Sequence, residues 1–147
     1  MTYNSNVKAT GKLTLVLKDE NNLVKQIQTV PNLVVDLGKE FIVNRMIGTS
    51  ENIMSHMAVG TNNSAVQVDD DSLTTELERV SLDSSSVVGT TVSYVAEFGA
   101  GVGTGSLTEA GIFNDATAGT MLCRTTFATI VKSSADTLTI TWNITIN

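Results

Sequence analysis

The chain has 147 residues and a formal net charge of −6, enough length for one domain, residues 1–147, to bury a core of its own. Its nine basic residues, Lys8, Lys12, Lys18, Lys25, Lys39, Arg45, Arg79, Arg124 and Lys132, form no stripe or patch, which argues against direct nucleic-acid binding because neutralising phosphates takes clustered cations. A single cysteine, Cys123, allows no internal disulfide, and its neighbours Met121 and Leu122 assign it to packing rather than reactivity.

Residues 1–10 are polar and aperiodic and read as an N-terminal arm, with Tyr3 as the aromatic suited to anchoring on a partner. They contain no apolar core of a secretory signal, and no apolar run is long enough for a membrane-spanning helix, so synthesis in a cytoplasm without membrane insertion is expected. Leu13, Leu15 and Leu17 alternate with polar or smaller residues as a first strand, residues 19–22 turn, and residues 23–30 return as its hairpin partner. Pro31 ends that hairpin, since proline cannot donate to a central ladder. Residues 32–47 follow as the helical segment. Asn32 or Asp36 is its candidate cap, Leu33, Leu37 and Phe41 recur every fourth residue, and Gly48 stands at the left-handed terminal position. Ile42, Val43, Met46 and Ile47 carry apolar surface round its other sides, so the helix is expected to be clamped between two surfaces or to face another subunit. Gly38, unfavourable in a helix, implies close packing there.

From Asn52 the period returns to two, with Ile53, Met57 and Val59 leading into Gly60. Residues 61–72, with Asn62, Asn63 and Ser64 and then Asp69, Asp70 and Asp71, read as a long exposed loop of the kind that carries contacts. Residues 77–82 and 86–98 are strand-like, the second bending at Gly89. Gly99, Gly101, Gly103 and Gly105 mark a flexible or bulged crossing. Residues 107–113 and 121–132 continue the pattern, the latter as one strand or two. In residues 137–146, Leu138, Ile140, Trp142, Ile144 and Ile146 alternate without a break with Thr and Asn, so this strand offers more core than any other segment. About eight strands and one short helix predict an all-β fold, a two-layer antiparallel β-sandwich, jelly-roll-like.

No pattern in the chain carries a recognisable chemistry. The lone His56 lies in an apolar strand and fits a structural or interfacial role, and neither it nor Cys123 has a catalytic context. The run Gly101 to Gly105 lacks the Lys-Ser/Thr ending of a phosphate loop and the helix that would follow it. Asp69, Asp70 and Asp71, with Glu76 and Glu78, do not have the spacing of a calcium loop and read as a solvated acidic loop. Glu97 and Glu109 could be paired as glycosidase carboxylates only in principle, and Trp142 belongs to the apolar face of its strand. The expectation is no catalytic, cofactor-binding or metal-binding residue and no enzymatic activity.

From Asn32 onward the order of signals resembles a family of small tailed-bacteriophage virion structural proteins. The resemblance is carried by Asn32-Leu33-Val34 leading to Ile47, by Ala58-Val59-Gly60-Thr61, and by a Ser/Asp-rich loop closing on Leu73, Glu76 and Arg79. It continues in Thr108-Glu109-Ala110-Gly111-Ile112-Phe113-Asn114, in Gly119 to Arg124 and in Asp136 to Trp142, with Asn62-Asn63 standing where glycine is often found. It implies a non-enzymatic component of a phage particle, all-β, located in the virion and made in the host bacterial cytoplasm. One compact domain with a polar arm, without heptads or repeats, suits a knob on a shell better than a fibre. The expectation is therefore a capsid decoration or cement protein on the outside of the major capsid shell, a homo-oligomer (trimer or dimer) whose partners are the major capsid protein or other virion proteins. The alternative is a tail or tail-fibre-associated adhesion module acting through residues 61–72 and the glycine crossing.

Overall fold

The computed structural model describes Tyr3, residues 5–48 and residues 51–147. Its last strand, β9 (Thr137–Ile146 by chain position), follows the period-two pattern closely: Leu138, Ile140, Trp142 and Ile144 are buried, while the Thr and Asn between them are only partly covered. Burying those side chains stabilises the fold by roughly 10 kcal/mol as an upper figure. On one side β9 pairs with β1 (Ala9–Lys18), placing Leu13 opposite Trp142 and Leu15 opposite Ile140. The remaining strands are β2 (Val24–Val34), β3 (His56–Gly60), β4 (Glu76–Ser81), β5 (Ser84–Val88), β6 (Thr91–Phe98), β7 (Gly105–Phe113) and β8 (Met121–Lys132).

All the pairings are antiparallel, in the order β4-β3-β7-β8-β2-β1-β9-β6-β5. The fold is all-β with one short helix, and its two layers are the halves of one curled sheet. β2 is the hinge. It runs beside β1 for most of its length, but meets β8 only through Leu33 opposite Arg124 and Val34 opposite Cys123. Leu13, Leu15, Phe98, Leu138 and Trp142 of one half face Met57, Val59, Ile112, Leu122 and Ile130 of the other in a common core, and β4 comes against β6 where the sheet closes on itself.

Several boundaries differ from the sequence expectation for local reasons. The arm of residues 1–10 is shorter, because Ala9 and Thr10 already pair with Ile146 and Thr145 and Lys8 exchanges main-chain hydrogen bonds with Asn147 at 2.9 and 2.7 Å. Residues 1, 2 and 4 of that arm lie outside the described residues. Pro31 lies within β2 opposite Lys12. The main-chain pairing with β8 begins only beyond it, and at Pro31 β8 contributes the Thr125 hydroxyl, which donates to the Pro31 carbonyl at 2.7 Å, so the missing N–H disrupts no ladder on that side. Residues 86–98 are not one bent strand. Gly89 at φ +59° permits a two-residue reversal that sets Val88 opposite Thr91, giving β5 and β6. Residues 121–132 are one strand, with its register against β7 broken between Leu107 and Glu109.

The helical segment expected over 32–47 narrows to α1 (Asp36–Arg45). Asn32 is not a cap, since it remains in β2 opposite Gly11. Val35 takes the capping position in an extended conformation with no side-chain bond, and the Asp36 N–H instead donates to the Val68 carbonyl at 2.8 Å. Gly48 closes the end at φ +66°, as its position implied. The buried side of α1 is Gly38 and Phe41, not Leu37 and Phe41. A side chain at Gly38 would overlap the Leu122 carbonyl, so this glycine lets the helix lie directly on β8.

Candidate functional site

Because α1 rests on β8 through Gly38 and Phe41, the apolar residues on its other sides are left uncovered. Val43, Met46 and Ile47 are 61%, 81% and 82% exposed, and Ile53 beyond the helix is similarly open. Between α1 and the neighbouring sheet runs a groove made of adjoining hollows. The outer one, about 460 Å³, lies between Val7, Lys8 and Ile146 on one side and Lys39, Ile42 and Val43 on the other. It shares Ile42 and Ile146 with a smaller hollow of about 210 Å³ that reaches Phe41, Arg45, Val92 and Tyr94. These last residues also border a third hollow, about 520 Å³, which ends on Ser85, Ser86 and Val87 of β5. Burial raises the Tyr94 hydroxyl to a pKa of about 12, with a smaller contribution from Cys123, so it stays a neutral donor. β5 is an outer strand of the sheet, exposed throughout and uncharged over Ser84–Val88, an edge of the kind that accepts another strand.

The loop between β3 and β4, which meets the start of α1 where Val68 accepts the Asp36 N–H, is closed. It starts and ends together, with the Thr61 N–H donating to the Thr75 carbonyl at 3.0 Å, and it is latched to the sheet by two buried side chains. Arg124 from β8 binds Glu109 from β7 at 2.9 Å and Asp70 of the loop at 3.0 Å, and also donates to the Ser64 carbonyl and the Thr74 hydroxyl at 3.2 Å each. Glu109 in turn accepts the N–H groups of Asn62, Thr74 and Thr75. The loop is exposed over most of residues 61–72, as expected, yet it is tied to the sheet and extends to Thr75. Under it, Leu73 packs in a small outer cluster with Val35, Ala58, Phe113 and Met121. The Arg79 guanidinium lies 3.7 Å over the Phe113 ring and pairs with Glu76 at 2.6 Å.

The residues weighed for chemistry fall apart in space. His56 is half-buried, its Nδ1 2.7 Å from the Ser55 hydroxyl and its Nε2 3.4 Å from that of Ser81. It stands opposite Phe113, whereas Cys123 stands opposite Ile112 on the other side of β7, so the two point to opposite faces of the layer. Cys123 sits in the core, and burial holds its thiol well above the usual range. Glu97 is exposed on β6 between inward-facing Ala96 and Phe98, while Glu109 is buried on the outer side of the other layer, so the core lies between these carboxylates. Asp70 is committed to Arg124, and among the described residues no three His, Cys, Asp or Glu side chains gather as a metal-binding group. The glycine run crosses from β6 to β7 with Gly101 and Gly103 at positive φ, and the buried Lys132 donates to the Gly99 carbonyl at 2.7 Å. Trp142 is wholly in the core.

What sequence reading missed is the Arg124–Glu109 latch. Its signal was present as a charge set directly beside buried apolar positions, Leu122-Cys123-Arg124 on one strand and Glu109-Ala110 on the next. No family model matches the chain, and no curated protein or solved structure matches it significantly.

Proposed function

We propose that the chain is a bacteriophage virion structural protein, most specifically a capsid decoration or cement protein that docks on the outside of the major capsid shell and stabilises it by covering and joining neighbours. The observation that carries this reading is the uncovered apolar surface at the end of α1, where Val43, which borders the groove, and Met46 and Ile47 just beyond the helix are exposed. A clustered exposed apolar patch of this kind marks a site for association. The sequence resemblance from Asn32 onward supplies the setting. The residues that carry it include Leu73, Glu76, Arg79, Glu109 and Arg124, all of them in the layer that the Arg124–Glu109 pair ties to the 61–75 loop.

The tail-associated alternative would use the loop of residues 61–72 and the glycine crossing. That loop exposes one large apolar side chain, Val68, whereas Val43, Met46 and Ile47 are all exposed around the end of α1, which favours the capsid reading. The test is to add the purified protein to phage shells lacking it and follow co-sedimentation and heat resistance, with immunogold labelling of intact particles. Wild-type protein should bind shells and raise their disruption temperature, and a variant with Met46→Asp and Ile47→Asp should do neither. Gold confined to tails, or wild-type protein that remains in the supernatant, would refute the capsid assignment.

A further inference from the structure

Resting on that reading, we infer that the groove between α1 and the β6/β9 side of the sheet takes an acidic apolar segment of a partner protein, a stretch in which carboxylates alternate with large aliphatic side chains. The apolar walls are Ile42, Ile146, Val92 and Phe41, and the charged groups lining the groove are Lys8, Lys39 and Arg45. Among the described residues no Asp or Glu lines any of these three hollows. In a chain with 15 acidic and 9 basic residues, a groove whose charged lining is entirely cationic has the opposite sign from the rest of the molecule. The acidic residues of α1 lie beside it and not between helix and sheet: Glu40 lines a shallow hollow on the outside of α1 that shares Lys39 and Val43 with the groove. Lys39 lies 3.8 Å from Asp36 with both side chains more than half exposed, a contact too solvated to consume its charge. Arg45 donates to the main-chain carbonyl of Glu51, not to a carboxylate.

An occupant bearing carboxylates would meet these cations at the rim while its aliphatic side chains entered the hollows. A basic segment would be repelled by both the lining cations and the burial of its own charge. Cations at the rim steer and select, while the apolar walls hold.

The test uses the intact protein and short fluorescein-labelled peptides: one alternating Leu with Glu, a twin with Lys for Glu, and a twin with Ser for Leu. The Leu/Glu peptide should bind saturably, shift the amide resonances of Ile42, Val92 and Tyr94, and weaken as salt is added. K39E combined with R45E should lower its affinity by about tenfold or more. Binding of the Leu/Lys twin as tight as that of the Leu/Glu peptide, equal binding of the Ser/Glu twin, or no binding at all would overturn the inference. So would sedimentation showing a wild-type oligomer that K39E/R45E converts to monomers, because a second copy would then fill the groove. Shell binding is measured alongside. Unchanged shell binding by K39E/R45E sinks the groove proposal but spares the capsid assignment, whereas peptide binding without shell binding does the reverse.

Discussion

Arg124 and Glu109 stand 2.9 Å apart on adjacent strands with side-chain exposures of 1% and 0%, so each is the other's closest counter-charge inside the protein. The pair also organises the 61–75 loop, since Asp70, Ser64, Asn62, Thr74 and Thr75 all bond to one member or the other. Replacing Glu109 by Ala leaves a buried guanidinium without its closest counter-charge and several N–H groups without an acceptor. The expected loss is about 3–5 kcal/mol in denaturant unfolding. A paired replacement, Glu109→Leu with Arg124→Met, should cost less than either single change. In both cases hydrogen exchange at residues 61–75 should quicken before the rest of the sheet responds. A double variant more damaged than both singles would contradict this account.

Gly38 gives a prediction that runs against helix propensity. Alanine is favoured over glycine inside an exposed helix by about 1 kcal/mol, yet here the new methyl would overlap the Leu122 carbonyl. Gly38→Ala should therefore destabilise the protein by about 1–3 kcal/mol, the range expected for overpacking. A rise in the unfolding midpoint would mean that the helix is free to move off β8.

How much of this could be read from the chain depends on whether a residue's role was set locally. The alternation of β9 and β1 survives intact because each strand's face is decided by its own period, with Leu13 and Trp142 meeting in register. Gly89 was visible as a break but not as a reversal, since bend and turn differ in whether Val88 and Thr91 find each other. The buried side of α1 was legible in Phe41 and in the close packing implied by Gly38, but not in Leu37, which is exposed, because the surface that decides the side, Leu122, lies far away in sequence. For the groove, the surplus of apolar residues on the helix was legible, but its opposite wall, Val92, Tyr94 and Ile146, comes from strands whose neighbours are fixed only by the sheet order. The latch escaped notice for the same reason, with Glu109 and Arg124 brought together by β7–β8 pairing.

Asp136 makes the stability depend on acid. It bonds Lys25 at 2.7 Å and accepts the Ser133 N–H at 2.9 Å, and the bond from Lys25, followed by that from Ser133, holds its carboxyl down to a pKa of about 2. A folded-state pKa below the unfolded value means that the unfolded chain binds the proton first. The stabilisation is therefore fully present above about pH 4 and is lost as pH falls through about pH 2. Denaturant midpoints followed from neutral to acid pH should fall in that window for the wild type. With Asp136→Asn the fall there should be shallower, the neutral-pH midpoint being lower from the start. Parallel pH curves for the two proteins would show that the carboxylate carries none of the acid response.

Met46 and Ile47 separate folding from association most cleanly. Both project into water at the end of α1 and contribute nothing to the buried core, so changing both to Ser should shift the isolated protein's stability by no more than about 0.5 kcal/mol per site. On a shell the same residues would be covered. Burying a large aliphatic side chain is worth about 1.5–3 kcal/mol, so losing both should weaken docking by about tenfold or more. Measuring unfolding and shell occupancy on one preparation decides the matter. Normal folding with sharply lower occupancy is the expected result. Full occupancy by a well-folded double variant would show that the exposed end of the helix is not what the protein docks with.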